Sequence, residues 1–96
     1  MNIKEAQAIQ DLFQLAEQAG YLPKTIFDGE VLYKCSGFSK CEAILSAIEE
    51  ATITFVKDER EVFVYIVFCN NAEEMFADYS ATENWVAIIN KIGEQS

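Results

Sequence analysis

Val62-Phe63-Val64-Tyr65-Ile66-Val67-Phe68 is the stretch that decides the fold of this chain. Four of its residues are β-branched and three are aromatic, a composition that favours a strand over a helix. Its length suits a strand, and a run without alternation reads as a strand covered on both faces. Fully burying each such side chain contributes roughly 1.5–3 kcal/mol, so the run is expected to anchor the core. Cys69 continues it, and Asn70-Asn71 ends it.

Immediately upstream, Thr52-Ile53-Thr54-Phe55-Val56 alternates, with Ile53 and Phe55 on one face. That is the pattern of a half-buried strand. Lys57-Asp58-Glu59-Arg60 is a polar turn, so the two segments pair as an antiparallel hairpin. With Lys57 facing Arg60, Ile53 lies opposite Val64.

Capping boxes mark two helices. Ser39-Lys40-Cys41-Glu42 opens one running to about residue 50, with Cys41, Ile44, Leu45 and Ile48 as its buried stripe. Its last residues, Glu49 and Glu50, oppose the helix dipole, which favours bases at that end. Ser80-Ala81-Thr82-Glu83 opens the other, over 81–92, with Trp85, Ile88, Ile89 and Ile92 at helical spacing on its core side. Asn71-Ala72-Glu73-Glu74 is read as the cap of a short helical turn carrying Met75 and Phe76.

Toward the N-terminus, Ile3, Ala6, Ile9, Leu12, Phe13 and Ala16 form one face of a helix over 3–19. Gly20 suits a left-handed cap, Tyr21-Leu22 can fold back on the last turn, and Pro23 stops the helix from resuming. Residues 25–35 read as a short hairpin or one bent strand, with Asp28-Gly29 as a two-residue turn and Ser36-Gly37 as its end. The expected fold is a small single α+β domain over residues 1–96, an antiparallel sheet of three to four strands packed by three helices. The element order is α-(ββ)-α-β-β-α.

Composition narrows the function classes. Hydrophobic residues make up 51% of the chain, enough for a core without metal or disulfide staples. No apolar run approaches the ~20 residues that cross a bilayer, and Met1-Asn2-Ile3-Lys4-Glu5 has no signal-peptide apolar region. A cytoplasmic protein is expected. The three cysteines, Cys35, Cys41 and Cys69, include no Cys-x-x-Cys, and there is no histidine, so a disulfide framework or a structural zinc site is not expected. Cys35, at a strand end, is the one expected at the surface.

The net charge is −9. Residues 1–41 carry five acids and four bases, whereas residues 42–96 carry eleven acids and three bases. This argues against nucleic acid and anionic membranes as partners and for a basic protein. No enzyme is expected: histidine, a glycine-rich phosphate loop, a nucleophile elbow and a metal-spaced cluster are all missing. No cofactor or metal is implied.

The 52–69 hairpin gathers carboxylates. It returns the end of its second strand to the start of its first, so Glu49 and Glu50 should lie near Glu73, Glu74 and Asp78, with Tyr79 and Glu83 close by. These seven residues form the expected partner-binding pole, and Tyr21, Tyr33 and Phe38 are further aromatic candidates for an interface. In size, charge and lack of catalytic residues, though in no motif, the chain resembles phage anti-defence proteins and toxin-neutralising immunity proteins. That resemblance implies an inhibitor of a basic nucleic-acid-handling protein. Two alternatives belong to other classes. One is a homo-oligomeric structural or assembly protein joined through the sheet, such as a homodimer. The other is a small-molecule-binding domain, which would need a pocket with convergent polar groups.

Overall fold

A computed structural model of the chain describes residues 2–35, 37–68 and 74–95. They form a small α+β fold of three helices and one five-stranded antiparallel sheet. The elements are α1 (Ile3–Gln18), β1 (Leu22–Phe27), β2 (Leu32–Lys34), α2 (Phe38–Leu45), β3 (Glu50–Lys57), β4 (Arg60–Val67), β5 (Phe76–Tyr79) and α3 (Glu83–Gln95). The strand order is β2-β1-β3-β4-β5. The molecule is a slab of 32 × 31 × 21 Å, the shape of one helical layer on one sheet.

Local chemistry accounts for most of these elements. Helix α1 starts at a capping box in which Asn2 Oδ1 accepts from Glu5 N–H at 2.8 Å and Glu5 Oε1 accepts from Asn2 N–H at 2.9 Å. It ends as expected in a left-handed glycine cap. Gly20 has φ +92°, Gly20 N–H donates to Glu17 and Tyr21 N–H to Ala16, which satisfies the last carbonyls. The β3–β4 hairpin has the expected register, with Lys57 opposite Arg60 and Ile53 opposite Val64. The β1–β2 hairpin also forms, although its loop is Asp28–Val31 rather than two residues. Asp28 Oδ1 accepts from the N–H groups of Glu30 and Val31 at 2.9 and 2.7 Å, and Asp28 N–H donates to Val31 O.

Several expectations are corrected. The sheet has five strands, not three or four. Phe76, expected on a helical turn, instead opens β5, which pairs with β4. Met75 is fully buried, and its carbonyl accepts from Val67 N–H. Strand β1 starts at Leu22, because Pro23 sits where the β1–β3 register shifts and needs no ladder donor there. Helix α2 begins at Phe38, with Gly37 as a cap that offers no side-chain bond, so Ser39 lies inside the helix and makes no capping box. It ends at Leu45, and Glu50 opens β3. Glu49 and Glu50 therefore do not oppose a helix dipole. Ser80 caps nothing either: its Oγ accepts from Phe63 N–H at 2.9 Å and its own N–H donates to Phe63 O. It extends the sheet, and α3 begins at Glu83. Cys69 and the capping segment Asn71–Glu73 lie outside the described residues.

The core lies between the helical layer and one face of the sheet. Ile26, Ala51, Ile53, Phe55, Val62, Val64 and Ile66 point into it. The helices contribute Ile9, Leu12, Phe13, Cys41, Leu45, Trp85 and Ile89. Trp85, expected in the core, is its centre. Its ring lies 5.0 Å from Phe55 and 5.1 Å edge-on to Tyr21, and its Nε1–H donates to Phe63 O at 2.9 Å. Because the core lies on one side only, β4 is not covered on both faces. Val62, Val64 and Ile66 are buried, while Phe63, Tyr65 and Val67 alternate with them and stay half-exposed. Cys35 is also corrected: it is buried beside Cys41 rather than exposed.

Candidate functional site

The start of β3 is the centre of the acidic end. Glu50 pairs with Val67, and the carbonyl of its neighbour Glu49 accepts from Phe68 N–H at 2.8 Å. On the other side, β1 pairs with β3 so that Phe27 faces Thr52. The Asp28–Val31 loop therefore emerges beside Glu50. The result is an open groove of about 520 Å³ lined by four carboxylates, Asp28, Glu30, Glu49 and Glu50. Ile48, Val67 and Phe68 supply its apolar wall.

None of these four carboxylates forms an ion pair with a base among the described residues. The one ion pair there is Lys24–Glu61, at 3.1 Å and half-exposed. The groove thus carries an uncompensated negative field. Its members differ in their hydrogen bonding. The two backbone donors from Val31 and Glu30 hold the Asp28 carboxyl below the usual carboxylate range. Glu50 Oε2 accepts from Tyr65 Oη–H at 2.7 Å, a bond that pushes the tyrosine hydroxyl up and keeps it protonated.

The seven expected site residues separate. Glu49 and Glu50 lie in the groove. Glu74 is exposed and precedes Met75, whose carbonyl binds Val67 N–H, so it belongs to the same end of the sheet. Asp78 lies on β5 directly opposite Tyr65. The tyrosine ring therefore stands between Asp78 and Glu50 on the face turned away from the helices. Tyr79 points the other way, pairing with Val64 and packing half-buried against the core. Glu83 opens α3 beyond Ser80, which is bound to Phe63, about 13 Å along the strand from Val67. It does not join the groove. Glu73 lies outside the described residues.

Asp28, Glu30 and Tyr65 were not anticipated at this site. The hairpin register offered a signal for Tyr65, because it faces Thr52, two residues from Glu50. Asp28 and Glu30 had no comparable signal, since their placement depends on β1 choosing β3 as its neighbour. Of the aromatic candidates, Tyr21 is buried beneath Lys57, 5.4 Å from its ring centroid, and Tyr33 is half-buried against the core. The side chain of Phe38 is not among those described.

Burial pushes the thiols of Cys35 and Cys41 up, the latter to about 12, which disfavours the reactive thiolate. No cluster of three or more potential ligands that could hold a metal occurs among the described residues, and no helix among them is long and apolar enough to cross a membrane. Comparison with protein-family models, curated proteins and solved structures finds no match for this chain.

Proposed function

We propose that the chain is a non-enzymatic protein-binding domain whose acidic groove receives a basic partner, in the manner of an inhibitor that occupies a phosphate-binding surface. The observation that carries this reading is the convergence of Asp28, Glu30, Glu49 and Glu50 on one open groove, none of them ion-paired to a base among the described residues. Carboxylates spaced along a sheet end offer lysine and arginine side chains what nucleic-acid phosphates offer them: charge without a fixed sequence code. The apolar wall of Ile48, Val67 and Phe68 adds desolvated contact area, which long-range charge alone does not supply. A net charge of −9 speeds encounter with a cationic surface.

Affinity capture from the native host, followed by mass spectrometry, tests the reading. Wild-type bait should retain a basic nucleic-acid-handling protein at low salt and release it by about 0.5 M NaCl, as counterion release requires. Bait carrying Glu30→Lys, Glu49→Lys and Glu50→Lys should retain none of it. If the variant captures that partner as well as wild type does, the groove is not the binding surface.

A further inference from the structure

Two of the three cysteines meet at the rim of the core. Cys35 follows the last residue of β2, and Cys41 lies in the first turns of α2. Both are free and buried, and their thiols interact directly. The backbone fixes both positions: Cys35 N–H donates to Lys24 O at 3.0 Å, and Cys41 N–H donates to Gly37 O at 3.2 Å. A disulfide demands side chains that converge, and thiols already in contact from two anchored elements meet that demand.

The two thiols are not equivalent. Cys41 is fully shielded, whereas Cys35 keeps 9% exposure at the end of an outermost strand. Strand β2 is held to β1 by three residue pairs, so local opening of this short edge brings Cys35 to solvent. Burial raises the Cys35 thiol, but its contact with Cys41 and the charge of Lys40 both pull it back down. The same contact raises Cys41 further. Cys35 is therefore the sulfur that ionises and attacks, and Cys41 is the one that holds its proton until a second step.

We infer that Cys35 and Cys41 form a reversible disulfide when the chain meets a hydroperoxide, a redox switch that ties the edge strand β2 to helix α2. The Cys35 thiolate, its proton released to solvent, attacks one oxygen of hydrogen peroxide. An S–O bond forms, the O–O bond breaks, and the departing hydroxide takes up a proton as the first water. The Cys41 sulfur then attacks the Cys35 sulfur. An S–S bond forms, the S–O bond breaks, and the leaving hydroxide carries off the Cys41 proton as the second water. Each sulfur gives up one electron, and the peroxide takes both. A dithiol reductant reverses the bond by exchange. Through the β1–β2 hairpin the tie also steadies the Asp28–Val31 loop at the acidic groove, a consequence that rests on the function proposed above.

Peptide mapping of the purified full chain tests the inference without any partner, so its outcome is separate from that of the groove. The reduced, folded chain is treated with a small excess of hydrogen peroxide, remaining thiols are blocked with iodoacetamide, and the product is digested with trypsin. Cleavage after Lys34 and Lys40 places the two cysteines on residues 35–40 and 41–57, so a bond between them appears as a cross-linked pair of peptides. That pair should be the main oxidised product, with Cys69 alkylated, and Cys69→Ser should give the same pair. The oxidised chain should melt roughly 5–15 °C above the reduced chain, because the bond restricts the unfolded state. Dithiothreitol should restore both the peptide map and the melting temperature. Cys35 and Cys41 recovered as alkylated or sulfinic residues after peroxide treatment would overturn the inference. So would an oxidised chain that melts no higher than the reduced one, since the native fold would then not accommodate the bond.

Discussion

Cys41 shows how a single buried group couples to solution conditions. It is fully buried near the start of α2, and burial, with Cys35 beside it, pushes its thiol from 9.0 to about 12. The folded chain therefore keeps a proton that the unfolded chain releases above about pH 9. The stability tied to that thiol is complete below pH 9 and is lost as pH climbs toward about 12. Urea midpoints measured at pH 8 and pH 10 should fall with pH, and Cys41→Ala should flatten the slope even though it lowers the midpoint at both. Asp28 has the opposite sign. Its carboxyl is held low by the Val31 and Glu30 amides, so its small contribution is present above the usual carboxylate range and fades in acid. Tyr65 combines structural and surface roles: its hydroxyl ties down Glu50 while its ring lies on the sheet face turned away from the helices. Pattern places Cys41 on a buried stripe, Asp28 in a turn and Tyr65 in a strand, but it does not give their states. Each state comes from a neighbour distant in sequence or from a turn that pattern only approximates.

Among the elements, the β3–β4 hairpin is the most firmly encoded. Its alternation, its polar turn and its register all agree with one another, and the structure repeats them residue for residue from Lys57–Arg60 to Ile53–Val64. Its turn is nevertheless costly. Asp58 and Glu59 both adopt left-handed backbone, with φ of 50° and 67°, as a two-residue hairpin loop demands. A non-glycine residue costs roughly 1–2 kcal/mol there. The double substitution Asp58→Asn with Glu59→Gly installs the asparagine–glycine pair that this turn prefers. It should stabilise the fold by about 1 kcal/mol and raise Tm by roughly 4–8 °C in a thermal melt. An unchanged Tm would show that the turn is not strained. Strand β5 is the contrasting case. Phe76-Ala77-Asp78-Tyr79 has no strong period of its own and follows a run of turn residues. It becomes a strand because β4 presents an open edge, and Ser80 completes the pairing with two bonds to Phe63. Tertiary pairing overrides a weak local preference there.

At the scale of the molecule, charge and shape divide the surface into two regions. The groove and the outer ends hold most of the excess acid, and the described residues of the sheet face turned away from the helices are nearly balanced in charge. With a net charge of −9 and one ion pair among the described residues, self-repulsion lowers the stability of the folded chain. Adding NaCl from about 20 to about 300 mM should therefore raise Tm at pH 7 by screening that repulsion, and a falling Tm would mean that specific ion pairs outweigh it. The same addition should loosen the basic partner while raising Tm, so binding and stability respond to one variable in opposite directions.

Sequence alone determined the α+β class, the three helices, the central hairpin and its register, and the acidity of the second half of the chain. Each of these follows from short-range rules: apolar period, cap residues, turn chemistry and composition. Only the tertiary structure decided that the helices all cover one face, that β1 sits beside β3, and that β5 exists. Those choices brought Asp28 and Glu30 to Glu49 and Glu50, turned Tyr79 inward and left Glu83 outside the groove. The physical reason is that strand neighbours and layer sides are set by which buried surfaces fit together across the whole core. Residues tens of positions apart contribute to that free energy at once, and no local pattern records it.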